Sequence, residues 1–324
     1  MTDYERYVLE EYVEDFNDHI ISRRELLRRV TLITGSLAAT LAILDSMGCG
    51  SLPTGEPAAP VSRESSTPQP FATPPASPTT DGITVKPDDP RIKETTLEVK
   101  GRDGATLISY AARPATGKPA GGILVVHENR GLQPHIKDVV RRVATAGFTG
   151  LSIDLLSRDG GAEKLTDQPS YGAALARRSV PDLVSDVRQA LTVLSGSGVG
   201  NKLGITGFCY GGGMVWNTLI SGAEVKAAAP FYGPKPADIT GLASTKAAVY
   251  AVYAEMDLAI TATKDQMEAA LKEAQSKPGG RPHQIMVFPG VGHAFHNDTS
   301  ARYNAVQAEA AWVATVAWFR KYVR

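Results

Sequence analysis

The sequence predicts an α/β fold in which a mostly parallel, doubly wound sheet is flanked by helices. Short, continuous apolar runs recur from about residue 120 to the end of the chain, and such runs are typical of strands buried on both faces. Segments with helical periodicity separate these runs, and this alternation is typical of a parallel sheet covered by helices. The 324 residues are 43% hydrophobic and 21% charged, a composition usual for a globular protein.

The individual elements follow from local patterns. Period-two alternation over residues 95–99 and 106–111 predicts two antiparallel strands joined through a turn at residues 101–104. Apolar runs predict buried strands at residues 122–127, 149–153, 202–206, 227–232, 248–254 and 284–288. Helical spacing predicts helices at residues 136–146, 181–194, 214–220, 263–274 and 303–322. The glycine-rich residues 196–200 end a helix and precede a strand, so we interpret them as a turn and not as a phosphate-binding loop.

The first ninety residues differ in composition from the rest. Within residues 1–50, the pair Arg23-Arg24 precedes an apolar stretch of about fifteen residues. This stretch is too short to span a bilayer comfortably. The arginine pair and the stretch together predict a twin-arginine-like export signal. An amphipathic helix with a chance arginine pair is the alternative. Residues 51–90 are rich in Pro, Ser, Thr and Ala, which predicts a disordered, extended linker. Residues 91–324 then form one domain.

These segments predict an exported protein, located in the periplasm or on the outer face of the cell membrane. Attachment to the membrane would come from the N-terminal segment or from a lipid on Cys49, and both cleavage and lipidation at Cys49 are left open. Lys plus Arg and Asp plus Glu are balanced at 34 each, so the overall charge of the protein does not favour binding to nucleic acid. We expect a monomer whose partner is a small molecule.

The most informative motif is Gly207-Phe208-Cys209-Tyr210-Gly211, which lies between a predicted strand and a predicted helix. It has the pattern of a nucleophile elbow with cysteine as the nucleophile. The glycines two residues before and after Cys209 leave room in a strained turn where a Cβ would collide. The thiol would lie at the amino end of a helix, where the dipole favours the thiolate. A buried, inert cysteine is the alternative interpretation.

A cysteine nucleophile needs a base and a residue that orients the base. Asp257 and His293 each follow a predicted buried strand, in the chain order nucleophile, acid, histidine that α/β-hydrolase folds show. We therefore predict His293 as the base and Asp257 as its orienting acid; a helix cap is the alternative role for Asp257, and Glu255 is the rival acid. His293 and His296 could imitate a metal pair, but no cysteine or carboxylate at ligand spacing supports this, so no metal is predicted.

The loop after the first predicted parallel strand carries His127, Glu128 and Asn129. In this fold that loop supplies one backbone N–H to an oxyanion hole, and the residue after the nucleophile supplies the other. The predicted oxyanion donors are therefore the backbone amides of Asn129 and Tyr210. The loop is not a zinc-binding His-Glu-x-x-His motif, because residue 131 is glycine.

Four spaced motifs resemble the dienelactone hydrolase (carboxymethylenebutenolidase) family: His-Glu-Asn-Arg-Gly at 127–131, Gly-Phe-Cys-Tyr-Gly-Gly at 207–212, Asp257, and Gly-His-Ala-Phe at 292–295. The resemblance covers roughly residues 95–324. It implies an α/β-hydrolase fold and a carboxylic ester hydrolase that cleaves a small ester or lactone through a cysteine acyl-enzyme. It implies no metal and no organic cofactor.

The resemblance assigns the catalytic roles to the same cysteine, histidine and aspartate, and it implies that Glu128 helps to switch the thiol on when substrate arrives. In family members that act on dienelactone, two arginines bind the substrate carboxylate, and Arg158 matches one of them. The other is expected shortly after His293, where this chain has no arginine until Arg302. This departure leaves the family chemistry intact and puts dienelactone itself in doubt as the substrate.

Two other classes of protein are the alternatives. A non-catalytic lipoprotein at the cell surface could keep the α/β-hydrolase fold as a binding module, and it would not react through Cys209. A redox-active thiol protein needs a resolving cysteine, and Cys49, across the long linker, is the only other cysteine.

Overall fold

A computed structural model describes residues 8–9, 12–13, 15–16, 21–44, 84–165 and 168–324, in a chain that forms two units, residues 1–76 and 77–324. In the first unit, helix α1 (Arg23–Thr34) is capped by the Ser22 side chain, and α2 (Leu37–Leu44) follows. Within the described ranges no single helix is long and apolar enough to cross a membrane; α1 and residues 38–44 meet that test only together, as a pair bent by 110°. Cys49, where lipidation was left open, and residues 51–83 of the predicted linker lie outside the described residues.

The second unit contains the sheet. Its strands are β1 (Ile92–Thr95), β2 (Val99–Lys100), β3 (Thr106–Leu107), β4 (Ser109–Pro114), β5 (Gly122–Val126), β6 (Thr149–Ile153), β7 (Leu203–Phe208), β8 (Ala227–Phe231), β9 (Ala248–Ala254) and β10 (His283–Phe288). Every residue of β5 to β9 is buried, as the continuous apolar runs predicted.

Helices connect most of these strands and flank the sheet. They are α3 (Pro134–Thr145), α4 (Gln168–Ala176), α5 (Val180–Leu194), α6 (Tyr210–Ile220), α7 (Leu258–Thr261), α8 (Lys264–Ser276) and α9 (Ala305–Tyr322). Residues at the amino ends of three of these helices explain where the helices begin. Pro134 begins α3, and the Ser179 and Asn304 side chains cap α5 and α9 by accepting backbone N–H bonds at 3.2 and 3.0 Å.

The strand order in the main sheet is β1-β4-β6-β5-β7-β8-β9-β10. The pairs β1–β4 and β4–β6 are antiparallel, and all later pairs are parallel. The predicted α/β-hydrolase fold class, with its mostly parallel sheet, is thereby confirmed. Strands β2 and β3 form a separate two-stranded hairpin.

The register brings the carboxyl ends of the parallel strands level with one another. Phe208 at the end of β7 is opposite Phe231 at the end of β8, and Ala254 at the end of β9 is opposite Phe288 at the end of β10. The segments that follow these strands therefore meet at one edge of the sheet. All the predicted catalytic residues lie in such segments.

The predicted strands at residues 95–99 and 106–111 were wrong in their bounds. Residues 96–98 separate β1 from β2, and Ile108 separates β3 from β4. The hairpin stops at Leu107 because the backbone of Ile108 bonds elsewhere: its N–H donates to Ser157 Oγ at 2.8 Å, and its carbonyl accepts from Asp154 N–H at 2.7 Å.

The linker predicted over residues 51–90 ends earlier than expected. Val85 is buried, and its N–H donates to Asp138 Oδ1 at 2.7 Å, while Thr84 Oγ1 donates to Asp298 Oδ2 at 2.7 Å. Thr84 and Val85 thus belong to the α/β unit, and the domain begins before residue 91. Composition did not indicate this, because a single apolar residue in a proline-containing stretch is a weak signal.

Candidate active site

The turn at Cys209 has the geometry of a nucleophile elbow. Cys209 lies between the last residue of β7 and the first residue of α6, with φ 56° and ψ −123°, a region that side chains rarely adopt. A Cβ on Gly207 would collide with the Gly211 carbonyl oxygen, and a Cβ on Gly211 would collide with the carbonyl oxygens of Val126 and His127. The two glycines are therefore required by close backbone contacts, as the motif predicted.

Asp257 and His293 lie together, although they are 36 residues apart in the sequence. A hydrogen bond of 2.7 Å joins His293 Nδ1 to Asp257 Oδ2, and both side chains are almost completely buried. Because an ionised carboxylate only accepts hydrogen bonds, Nδ1 carries the proton and Nε2 carries the lone pair that a base requires.

The two roles weighed for Asp257 are compatible. Its Oδ1 accepts a weak bond of 3.4 Å from the Ile260 N–H and so caps α7, while Oδ2 holds His293. The rival acid Glu255 bonds elsewhere, since its Oε2 accepts from the Gly290 N–H at 2.8 Å. Glu255 thus holds the loop that leads to His293, and Asp257 holds the imidazole.

Tyr232, which the sequence did not single out, lies at the centre of these groups. It directly follows β8, is completely buried and has φ 34°. Its ring centroid is 4.9 Å from that of His293. Burial raises the pKa of its hydroxyl well above the ordinary value, and the nearby acids Glu128, Cys209 and Asp257 raise it further. Its position directly after a parallel strand was the one available signal.

Glu128 is held by Asn297, a second residue that the sequence did not single out. The Asn297 Nδ2 group donates to Glu128 Oε2 at 2.6 Å. The other carboxylate oxygen, Oε1, is buried and has no hydrogen-bond partner among the residues that the structure describes. An acceptor in this state is available to a proton donor that approaches it.

The loop that carries Asn129 is fixed by His127. The completely buried His127 ring accepts the Leu155 N–H at Nε2 (2.9 Å), so its proton is on Nδ1, which donates to the Glu128 carbonyl (2.5 Å). His127 therefore has a structural role. Asn129 is buried, and the close approach of the Val126 and His127 carbonyls to Gly211 brings its loop to the elbow that bears Tyr210.

Arg158, predicted to bind a substrate carboxylate, has two protein carboxylates as partners. Its Nε and Nη2 donate to Asp103 at 2.7 Å each, and its Nη1 donates to Asp186 at 2.6 Å. These bonds join the turn of the β2–β3 hairpin to α5, a structural role that the sequence did not indicate.

His296 is buried among aromatic rings. It stacks on Phe208 at 4.9 Å between centroids and lies near Phe231 and Trp312. Burial, together with Arg142 and His135, lowers the pKa of His296 well below its ordinary value of 6.5. Its imidazole is therefore neutral in the folded protein at neutral pH.

Replacement of His296 by phenylalanine should flatten the pH dependence of stability below pH 6.5. The unfolded chain takes up a proton there while the folded chain does not, so wild-type stability should fall by up to about 1.4 kcal/mol per pH unit on acidification. Urea unfolding at about pH 7.5, 6.5 and 5.5 measures this slope. The half-buried His283 provides the control, because His283→Phe should change the slope less. Equal slopes for wild type and His296→Phe would contradict the expectation.

Comparisons with known proteins agree with one another. Residues 107–323 match the dienelactone hydrolase family. A protein of Methylorubrum extorquens, provisionally named a carboxymethylenebutenolidase, is 35% identical in an alignment of 240 positions that covers 70% of this chain and 80% of that protein. An Escherichia coli protein of the same provisional name is 31% identical in an alignment of 265 positions that covers 77% of this chain and 94% of that protein.

Solved structures show the same similarity in three dimensions. A provisionally named dienelactone hydrolase from Klebsiella pneumoniae superposes with a TM-score of 0.64 at 27% identity, covering 71% of this chain and 99% of that chain. The dienelactone hydrolase from Anabaena variabilis superposes with a TM-score of 0.55 at 21% identity, covering 72% of this chain and 100% of its own, a likeness of fold.

Proposed function

Because the chain belongs to the dienelactone hydrolase family and is a hydrolase with an α/β-hydrolase fold, we propose that it cleaves a small carboxylic ester or lactone through an acyl-enzyme on Cys209. One observation carries the proposal. Cys209 occupies a strained elbow at the sheet edge, while the segments that follow β9 and β10 at the same edge hold a buried His293–Asp257 pair whose tautomer leaves Nε2 as a base.

In the first half of the reaction, His293 Nε2 takes the Cys209 proton as the sulfur attacks the carbonyl carbon. The tetrahedral intermediate then expels the alkoxide, which receives the proton from the imidazolium, and a thioester on Cys209 remains. With a lactone, the released hydroxyl stays attached to the acyl group. Asp257 keeps Nδ1 protonated throughout and stabilises the imidazolium.

The oxyanion would be held by the backbone amides of Asn129 and Tyr210. Tyr210 is the first residue of α6, where N–H groups lack intrahelical acceptors and the helix dipole favours negative charge. Donors fixed in this way are typically worth about 3 kcal/mol of barrier each. In the second half, His293 activates a water that hydrolyses the thioester and restores the thiol.

Glu128 would control the thiol. Its buried Oε1 has no partner within the described part of the chain. It would accept a hydrogen bond from the thiol and keep the proton on the sulfur until His293 takes it, because a carboxylate close to the thiol opposes a standing thiolate. Substrate binding would then disturb this arrangement and release the nucleophile. A thiol that is activated only in the complex is protected from oxidation between turnovers.

A panel of activated aryl esters, neutral lactones and lactones with a free carboxylate tests the function. We expect saturable turnover of aryl esters and at least one lactone class, whereas the alternative, a non-catalytic binding module, predicts no turnover of any of them. Arg158→Met belongs in the same panel. A selective rise in KM for carboxylate-bearing lactones would support the predicted contact between Arg158 and the substrate. Equal changes in KM for neutral and carboxylate-bearing lactones would mean that Arg158 has only a structural role, through its bonds to Asp103 and Asp186.

A further inference from the structure

The turn that follows His293 is anchored in a buried ionic cluster that the proposed chemistry does not use. Asp298 Oδ1 accepts a bond of 2.7 Å from His135 Nδ1. Asp298 Oδ2 accepts from Arg142 Nη2 at 2.8 Å and from Thr84 Oγ1 at 2.7 Å. Both oxygens of this carboxylate are therefore occupied, and the side chains of His135 and Arg142 are almost completely buried.

The cluster is continued by Asp138, one turn before Arg142 on α3. Arg142 Nε donates to Asp138 Oδ2 at 2.7 Å, and Asp138 Oδ1 accepts the Val85 N–H. Arg141 Nε completes the connection by donating to the Val85 carbonyl at 2.6 Å. Helix α3 and the segment Thr84–Val85 thus form one hydrogen-bonded binding site for the Asp298 carboxylate. We call its three donors, His135, Arg142 and Thr84, the Asp298 seat.

Asp298 remains ionised in this seat. Burial alone would raise the pKa of its carboxyl, but the bond from His135, the charge of Arg142 and the bond from Thr84 outweigh burial and hold the pKa well below the ordinary range. The negative charge of Asp298 is consequently constant over the neutral pH range in which a hydrolase is assayed.

The residue next to Asp298 is Asn297, which holds Glu128. The orientation of the Asn297 amide is fixed, because its Oδ1 accepts from the Thr299 N–H at 2.9 Å and from Thr299 Oγ1 at 2.7 Å. Its Nδ2 group therefore faces Glu128. The Asn297 N–H donates to the Ala294 carbonyl at 3.0 Å, which closes the turn directly after His293.

Adjacent Cα atoms are only about 3.8 Å apart, so the seat of Asp298 determines where the Asn297 amide can lie. We infer that Asp298 is a positioning residue for the proposed reaction: hydrogen-bonded to His135, Arg142 and Thr84, it fixes the Asn297–Glu128 hydrogen bond and thereby the position of the Glu128 carboxylate that would control the Cys209 thiol. This inference rests on the proposed function.

A double-mutant cycle in the full chain tests the inference. Asp298→Asn and Asn297→Ala should each lower kcat for an activated aryl ester by about tenfold or more and leave KM nearly unchanged, since a displacement of about 1 Å at a catalytic group can cost about a hundredfold. The double variant should be no slower than Asn297→Ala alone, because both changes act through one hydrogen bond. Urea midpoints measured on all variants confirm that the assays compare folded proteins.

Additive losses in the double variant would overturn the inference, since Asp298 would then act by a route other than Asn297. Cys209→Ala, assayed beside the cycle, separates the two proposals. Turnover that survives Cys209→Ala overturns the proposed function and this inference with it, whereas additive losses in Cys209-dependent turnover overturn the inference alone.

Thr84 offers a milder variant that should fold in every case. Thr84→Ser keeps the hydroxyl donor to Asp298 and should retain wild-type kcat, whereas Thr84→Val removes it at equal size and should lower kcat about twofold to fivefold. Equal kcat for Thr84→Val and Thr84→Ser would exclude Thr84 from the seat.

Discussion

Replacement of Cys209 by alanine is expected to lower kcat/KM for an activated aryl ester by roughly 10⁵-fold or more, the scale seen when a covalent nucleophile is removed from a hydrolase. The reason is that no thioester can form, and water must attack the substrate without the activated sulfur. The Cys209 side chain is buried and small, so alanine should preserve the fold. Steady-state kinetics with matched urea midpoints provides the measurement.

Cys49 supplies the matched control for this loss. Cys49→Ala removes the only other thiol of the sequence and should leave kcat/KM unchanged. Undiminished turnover in Cys209→Ala, or a large loss in Cys49→Ala, would mean that the reaction does not proceed through the elbow.

Replacement of Asp257 by asparagine is expected to lower kcat by roughly 10⁴-fold, the loss that the corresponding change causes in a serine hydrolase. An asparagine amide can donate to His293 Nδ1, which would then place the imidazole proton on Nε2 and remove the base. In the wild type, a bond of 2.7 Å joins the buried side chains of Asp257 and His293. The imidazole of the variant therefore has little room to adopt another orientation.

Glu255→Gln is the matched control for Asp257. Glu255 lies two residues before Asp257 and accepts the Gly290 N–H, a bond that glutamine can keep through its carbonyl oxygen. We expect a change of less than about fivefold in kcat. The opposite ranking, with a small effect at Asp257 and a large one at Glu255, would assign the orienting role to the rival acid.

The elbow and the sheet could be predicted because their signals are local. The spacing of Gly207, Cys209 and Gly211 reports a backbone constraint that these residues themselves satisfy, and buried strands have an apolar run that needs no knowledge of their neighbours. The placing of Asp257 and His293 followed from the rule that parallel strands end at one edge. The structure brings these two residues together.

The residues that support the site could not be predicted, because their partners are distant in the sequence. Asn297 meets Glu128 across 169 residues, and Thr84 meets Asp298 across 214. Arg158 has no local feature that indicates its bonds to Asp103 and Asp186. Polar contacts of this kind have no periodicity, and only the folded chain reveals them.

The central claim is that the substrate's acyl group becomes attached to the sulfur of Cys209. Intact-mass measurement of the full chain, quenched with acid during turnover of an aryl acetate, tests it most directly. The account predicts a mass increase of one acetyl group, located by peptide mapping on Cys209, removed by hydroxylamine and absent from Cys209→Ala. An acetyl group found on another residue during productive turnover, or turnover by Cys209→Ala at the wild-type rate, would contradict the account.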